Sequence, residues 1–185
     1  MNPVQIPGLK GGVTMNEEYL RKTFPQIDLI KDPDLKKKVI STFLKTAQNG
    51  GWDTLEGIPF TLLTDTSVTF AEHTKAVTDM AIQCAEVMKN FVHITPDYVV
   101  AGGLLHDVGK LLEYQKKEGK ITQSRYGALL RHPVSGAVIA AEVGLPPEII
   151  HIIVAHSKEG DAVKRIPEAI IIHHCDFVHF ESLKK

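Results

Sequence analysis

The stretch Ala101-Gly102-Gly103-Leu104-Leu105-His106-Asp107-Val108-Gly109-Lys110 is an apolar run closed by an imidazole, a carboxylate and, three residues on, an ammonium. Upstream, Thr95-Pro96-Asp97 has the form of a capped helix start with proline in the first turn, and Gly109 has the form of a stop. The segment between is therefore expected to be a helix carrying Val99, Val100, Leu104 and Leu105 on buried faces. Gly102 and Gly103 weaken such a helix, so their pairing predicts close approach of a neighbour. His106 and Asp107 would then lie side by side at a buried helix end. Burying an acid and an imidazole together is unfavourable unless something pairs with them, and a divalent cation does so.

Working outward, helix punctuation recurs and strand alternation is nearly absent, which predicts an all-α fold. Asp32 with Pro33 starts a helix through Leu35, Val39, Ile40, Phe43 and Leu44 to a stop at Asn49-Gly50-Gly51. Residues 50–66 read as an irregular surface connection, with a lid or an arm on a neighbour as the sharper alternative. From Thr69 to Phe91, the positions Phe70, Val77, Met80, Cys84, Val87 and Phe91 define a buried stripe, and His73 lies on it. Glu113 to Ser124 reads as a polar, mobile segment. Short helices follow over Tyr126–Leu130, from Pro133 to Gly144, from Pro146-Pro147 to His156, and from Pro167 through Phe180. Residues 1–68 are expected to form an N-terminal helical extension and loop packed on a core unit of residues 69–185, the whole being one compact body.

At 185 residues, with 43% hydrophobic and 23% charged content, the chain is about one domain long. Lys and Arg number 21 against 22 Asp and Glu, for a net charge of −1 without long blocks of either sign. This excludes the electrostatic footprint of a duplex nucleic-acid binder or of an acidic-membrane binder, but leaves room for a small phosphorylated substrate. The N-terminal Met1-Asn2-Pro3-Val4-Gln5-Ile6-Pro7-Gly8 is not a basic region followed by an apolar run, so a cytoplasmic location is expected. Cys84 and Cys175 read as small buried hydrophobes rather than a bridge, a metal role for Cys175 being the sharper alternative.

Nine histidines are many for a chain of this length. A lone histidine on an apolar face, as His73 would be, is more often a hydrogen-bonded core residue than a ligand. His132 precedes Pro133 at a helix start and His156 ends a helix, so each can reach into a cleft. Asp176 lies in the apolar string Ile170-Ile171-Ile172-His173-His174-Cys175-Asp176-Phe177-Val178, where an unpaired carboxylate is disfavoured; a salt bridge, a helix cap or a metal would satisfy it.

Together these residues resemble the HD-domain superfamily, named for a His...His-Asp...Asp set of metal ligands on a helical bundle. His73 matches the first histidine, His106-Asp107 the doublet, Asp176 the closing aspartate, and Lys110 the lysine common after the doublet. His132 and His156 match the two further histidines of members that hold two metals, with spacings of 33, 26, 24 and 20 residues between successive positions.

The resemblance implies one or two divalent ions (Fe, Mn, Zn, Ni, Co or Mg), one held by His73, His106, Asp107 and Asp176, with Asp107 bridging to another held by His132 and His156. Two ions roughly 3.5 to 4 Å apart can activate a water and stabilise the leaving oxygen of a phosphate ester. Asp107 and Lys110 would be catalytic, Lys110 by offsetting charge on phosphoryl oxygens. The implied activity is hydrolysis of a phosphate ester or phosphoanhydride of a small metabolite, such as a nucleotide. Arg125, Arg131 and Lys158 could contact further phosphates, and His173 could donate a supporting hydrogen bond to the cluster. His93, His151 and His179 have no match in the pattern and read as capping or surface residues.

The stretch from Arg131 to Asp176 is similar to small bacterial enzymes that split diadenosine tetraphosphate, though some 65 residues ahead of His73 exceed that pattern. Cyclic-di-nucleotide phosphodiesterases of the Gly-Tyr-Pro type lack support, because Ser157 to Asp161 does not supply their motif. The same six ligands occur in HD-fold diiron oxygenases. A non-catalytic nucleotide-binding regulatory module is the third class, and the complete ligand set disfavours it. The apolar N-terminal region could pack on a second subunit, giving a homodimer.

Overall fold

The computed structural model describes residues 15–184. The readings that fall on residues 1–14 lie outside them. Nine α-helices and one hairpin occur among the described residues. After Asn16, whose side chain accepts from the Tyr19 N–H, α1 spans Glu17–Thr23 and leads into a 3₁₀ turn over Pro25–Leu29. Helix α2 (Pro33–Gly50) is capped by the Asp32 carboxylate, which accepts from Asp34 and Leu35 N–H. It ends on Gly51 at φ 74°, the left-handed conformation that glycine adopts without strain. Helix α3 (Phe70–Met88) opens with a capping box in which Thr69 and Glu72 satisfy each other's N–H groups.

Helices α4 (Pro96–Leu105), α7 (His132–Val143), α8 (Pro147–Ala155) and α9 (Pro167–Leu183) all start with proline in the first turn. Between α4 and α7 lie the short α5 (Lys110–Glu113), a hairpin and α6 (Arg125–Leu129), which Ser124 caps. The hairpin corrects the expectation of a mobile segment. Strand β1 (Tyr114–Lys117) pairs antiparallel with β2 (Lys120–Gln123), Tyr114 opposite Gln123 and Lys117 opposite Lys120. Glu118 and Gly119 turn the chain with both φ values positive, the geometry that matches strand twist across a two-residue connection.

Helix α4 is the central element, with Val99 through Leu105 all buried and α2, α3, α8 and α9 packed around it. Its two glycines permit this. A Cβ on Gly102 would lie 2.7 Å from Ile172 and 2.8 Å from Ile152, and one on Gly103 would lie 2.9 Å from the Thr78 hydroxyl. Leu20, Phe24, Ile27, Ile30, Val39 and Phe43 join the same core, with Phe24 stacked on Phe43 at 5.1 Å. These apolar N-terminal side chains are thus committed within their own chain, which removes the ground for expecting them to cover a second subunit.

Two further expectations are corrected. The buried face of α3 runs through His73, Thr74, Val77, Thr78, Ala81 and Ala85, whereas Cys84, Val87 and Phe91 are exposed. Small residues let α3 approach the glycines of α4, and a stripe drawn from large apolar side chains misses them. The connection between α2 and α3 is not a surface loop, since Leu55, Ile58 and Phe60 are fully buried. Backbone bonds Phe60 N–H to Val68 O and Phe70 N–H to Ile58 O close its base, and the Trp52 indole donates to Leu111 O at 2.7 Å. No helix among the described residues is long and apolar enough to cross a membrane.

Candidate metal centre

Six side chains from five segments meet beneath this loop. His73 comes from the second turn of α3, His106 and Asp107 from the end of α4, His132 from the first position of α7, His156 from the end of α8 and Asp176 from α9. His73, His106, Asp107, His132 and His156 are buried.

Asp107 is shared. Its Oδ2 lies 3.2 Å from His73 Nε2 and 3.4 Å from His106 Nε2, while Oδ1 lies 3.2 Å from His132 Nε2 and 3.5 Å from His156 Nε2. Asp176 Oδ1 adds a second carboxylate 3.2 Å from His73 Nε2. Ligand atoms of His73, His106 and Asp107 lie within 4.8 Å of one another, and so do those of Asp107, His132 and His156.

The outer nitrogens fix the tautomers. A carbonyl can only accept, so the Nδ1–H of His106 donates to Gly103 O at 2.7 Å and that of His156 to Ile153 O at 2.8 Å. His132 Nδ1–H donates to Glu113 Oε2 at 2.8 Å. In each neutral ring Nε2 is then a bare lone pair. Yet His73 and His106 Nε2 face each other at 3.2 Å, His132 and His156 Nε2 at 3.3 Å, and both pairs face Asp107. Lone pairs converging on a carboxylate repel unless a cation lies among them, and imidazole with carboxylate is a donor set that divalent transition ions accept. The residues present fit the metals that the sequence implies.

The charges follow the same logic. Burial alone would raise the Asp107 carboxyl, but the Lys110 ammonium and the His106 and His156 imidazoles hold it well below the usual carboxylate range. Asp176 likewise resists burial and is brought down to about 2 by the His73 imidazole beside it and the nearby His106. His73 is raised in spite of burial, because two carboxylates favour positive charge there. His132 is lowered by burial, which outweighs its bond to Glu113.

Lys110 is held from two sides. Its ammonium donates to Asp107 Oδ2 at 2.5 Å and to Phe60 O at 2.6 Å, so two of its three N–H groups tie a ligand to the α2–α3 connection. Arg131 and Lys158 line the cavity above the cluster, Arg131 with its Nε 3.4 Å from Glu113 and 3.6 Å from Glu159. Arg125 is exposed at the start of α6 and does not line that cavity. His173 Nδ1–H donates to the backbone carbonyl of His156 at 2.6 Å. Cys175 is buried and carries no ligand atom of either cluster.

Three contributors escaped the sequence. Glu113 is buried and binds both the N–H and the ring of His132. Its signal was an acid within the apolar α5 turn, three residues after Lys110. His179, expected to be a surface or capping residue, has Nδ1 2.9 Å from His73 Nδ1. It sits on α9 three residues beyond Asp176, hence on the same face, and that spacing was its only signal. Phe60 stacks on the His73 ring at 4.8 Å, and no local pattern announced it.

A sequence model described as HD domain matches residues 70–181. A dihydroneopterin 2',3'-cyclic phosphate phosphodiesterase from Methanocaldococcus jannaschii is 34% identical over 161 residues, covering 80% of this chain and 63% of that protein. A ribonuclease Y from Acidothermus cellulolyticus is 33% identical over 94 residues, 51% of this chain and 16% of that protein. The chain thus spans less than two thirds of the length of either relative. No solved structure matches it at a significant level. With a model match running from the start of α3 to the last turns of α9, the chain belongs to the HD domain family.

Proposed function

We propose that this protein is a metal-dependent phosphohydrolase that cleaves a phosphate ester or phosphoanhydride of a small metabolite, with a phosphodiester as the first class to try. The observation that carries this is the division of Asp107, one oxygen to each imidazole pair, which suits a carboxylate that bridges two cations. His73, His106, Asp107 and Asp176 would hold one ion, and Asp107, His132 and His156 the other. Four imidazoles favour Fe, Mn, Zn, Ni or Co over Mg. Divalent ions, when bound, supply a lowered pKa for water and neutralise charge on phosphoryl oxygens. The protein holds the donors rigidly: Gly103 and Ile153 carbonyls and Glu113 aim three imidazoles, and Lys110 fixes the shared carboxylate.

Both relatives are named for cleavage of phosphodiesters, one in a small cyclic ester and one in RNA, which supports hydrolysis over an oxygenase built on the same donors. The full donor set supports catalysis over a regulatory module. A nucleotide substrate, a homodimer formed through a face other than the N-terminal core residues, and a cytoplasmic location are finer parts of the same reading.

The test is metal analysis of freshly purified protein with a phosphatase and phosphodiesterase panel, for wild type and Asp107→Ala. About two transition ions per chain and hydrolysis lost in the variant would support the proposal. Metal-free protein that stays inert after reconstitution would sink it, and two irons without hydrolysis would point to oxygen chemistry.

A further inference from the structure

Hairpin β1–β2 stands beside the metal donors, and its first residue, Tyr114, lines the cavity of about 990 Å³ that lies over Asp107 and Asp176. The backbone of Tyr114 is fixed from several directions. It pairs with Gln123 across the hairpin, the Ser124 N–H donates to Glu113 O at 2.8 Å, and a Cβ on Gly127 would lie 2.4 Å from that same carbonyl. The preceding Glu113 is itself bound to His132, so Tyr114 cannot swing away without disturbing a donor. Rigid placement of this kind is what a group acting on a substrate needs.

Tyr114 as a whole is 5% exposed. A buried phenol ordinarily has a partner for its hydroxyl. Here the Leu62 N–H approaches the oxygen, but no acceptor takes the O–H among the described residues. The sealed polar side-chain atoms without a hydrogen bond among those residues are Gln26 Oε1 and Thr74 Oγ1. The Tyr114 oxygen is not one of them, so it opens into the cavity. Several other polar groups around the cavity are already in use: Gln123 donates to Gly127 O at 3.3 Å, Ser157 to Glu159 at 2.6 Å, and Lys110 to Asp107 and the Phe60 carbonyl. Burial pushes the phenol above its ordinary 10, so it keeps its proton and can donate without giving it up.

We infer that the Tyr114 hydroxyl donates a hydrogen bond to a non-bridging phosphoryl oxygen of the substrate over the Asp107 cluster. This rests on the hydrolase reading. Tyr114 is then a catalytic residue that stabilises negative charge as the attacked phosphorus becomes five-coordinate. A donor placed where charge develops acts on kcat more than on KM. The hairpin is its support, which accounts for a β element in an otherwise helical chain.

The experiment compares Tyr114→Phe with wild type, both metal-reconstituted, on bis(4-nitrophenyl) phosphate or on whichever ester of the panel wild type cleaves best. The substitution keeps the ring and its packing. The kcat should fall by about 100-fold, the scale of one lost donor to developing charge, with KM, metal content and melting temperature unchanged. Unchanged kcat would overturn the inference. So would a fall matched by loss of metal, which would make Tyr114 a structural support of Glu113. If wild type cleaves no ester of the panel, the hydrolase reading fails on its own, and calorimetric binding of orthovanadate, a mimic of five-coordinate phosphorus, decides the donor: weaker binding in Tyr114→Phe supports it, and equal or absent binding refutes it.

Discussion

Glu113 Oε2 accepts both from the ring Nδ1–H of His132 at 2.8 Å and from its backbone N–H at 2.9 Å. A single buried carboxylate therefore sets the position and the tautomer of this imidazole, leaving Nε2 free to face Asp107. Such supporting partners commonly account for 10- to 100-fold in metal affinity. Glu113→Gln keeps the shape but can present its N–H₂ group to the ring. A fall of roughly 10-fold or more in affinity for one of two ions, measured by chelator competition, is the expected outcome. Unchanged affinity for both would remove Glu113 from the site.

His179 supports His73 from the other side. His73 Nδ1 lies 2.9 Å from His179 Nδ1, and a His73 that offers its Nε2 lone pair to a metal would donate its Nδ1–H there. His179→Phe removes that acceptor and is expected to weaken metal binding at the His73 end by about 10-fold or more. His179→Gln, which carries an acceptor oxygen, should recover part of it, a recovery that a packing role alone would not produce.

Lys110 joins Asp107 to the α2–α3 connection, and both of its bonds are buried. In metal-free protein Lys110→Met leaves Asp107 without its ammonium, and a loss of about 3–5 kcal/mol is the scale for breaking a buried ion pair. Amide exchange around Phe60 and Thr61 should accelerate in the same variant. If exchange there stays at the wild-type rate, Lys110 does not hold the connection down.

Two glycines predict a ranked pair of defects. A Cβ at Gly102 meets the ends of Ile172 and Ile152 side chains, which can shift, so Gly102→Ala should destabilise by about 1–3 kcal/mol. At Gly109 the Cβ would lie 2.1 Å from the His132 backbone carbonyl, which cannot move without dragging a ligand. Gly109→Ala should therefore be the more damaging in thermal melts and should lose metal as well. The reverse order would show that the turn before α5 yields more easily than the α4 packing.

The α3 capping box gives a pH test. Backbone and hydroxyl hydrogen bonds from Thr69 hold the Glu72 carboxyl below its ordinary 4.5. A lowered folded-state value means the contribution is present above about 4.5 and disappears as pH falls through that lower value. The stability gap between wild type and Glu72→Gln should thus be seen at neutral pH and close in acid, while Thr69→Ala should cost about 1 kcal/mol at neutral pH. A gap that widens in acid would contradict the box.

Much of this protein was legible from local chemistry. Proline and cap residues placed the starts of α2, α4, α7, α8 and α9 within a residue or so, because a helix terminus must satisfy its own N–H groups from nearby atoms. Local chemistry said only that an acid or imidazole in an apolar string demands a partner wherever the chain goes; it was the resemblance to the HD-domain pattern that grouped the six donors. Tertiary structure alone decided which partner each received. That Asp107 divides its oxygens between two imidazole pairs, that His179 reaches His73 from 106 residues away, that Phe60 roofs the site, and that Lys110 and Arg131 are already paired all follow from how α3, α4, α5, α7, α8, α9 and the α2–α3 connection pack together. Periodicity reports that a face is buried; it does not report against what. Here the close crossings were set by Gly102, Gly103, Ala81 and Thr78, side chains too small to register in a hydrophobic stripe, yet they fix the distances over which the donors meet.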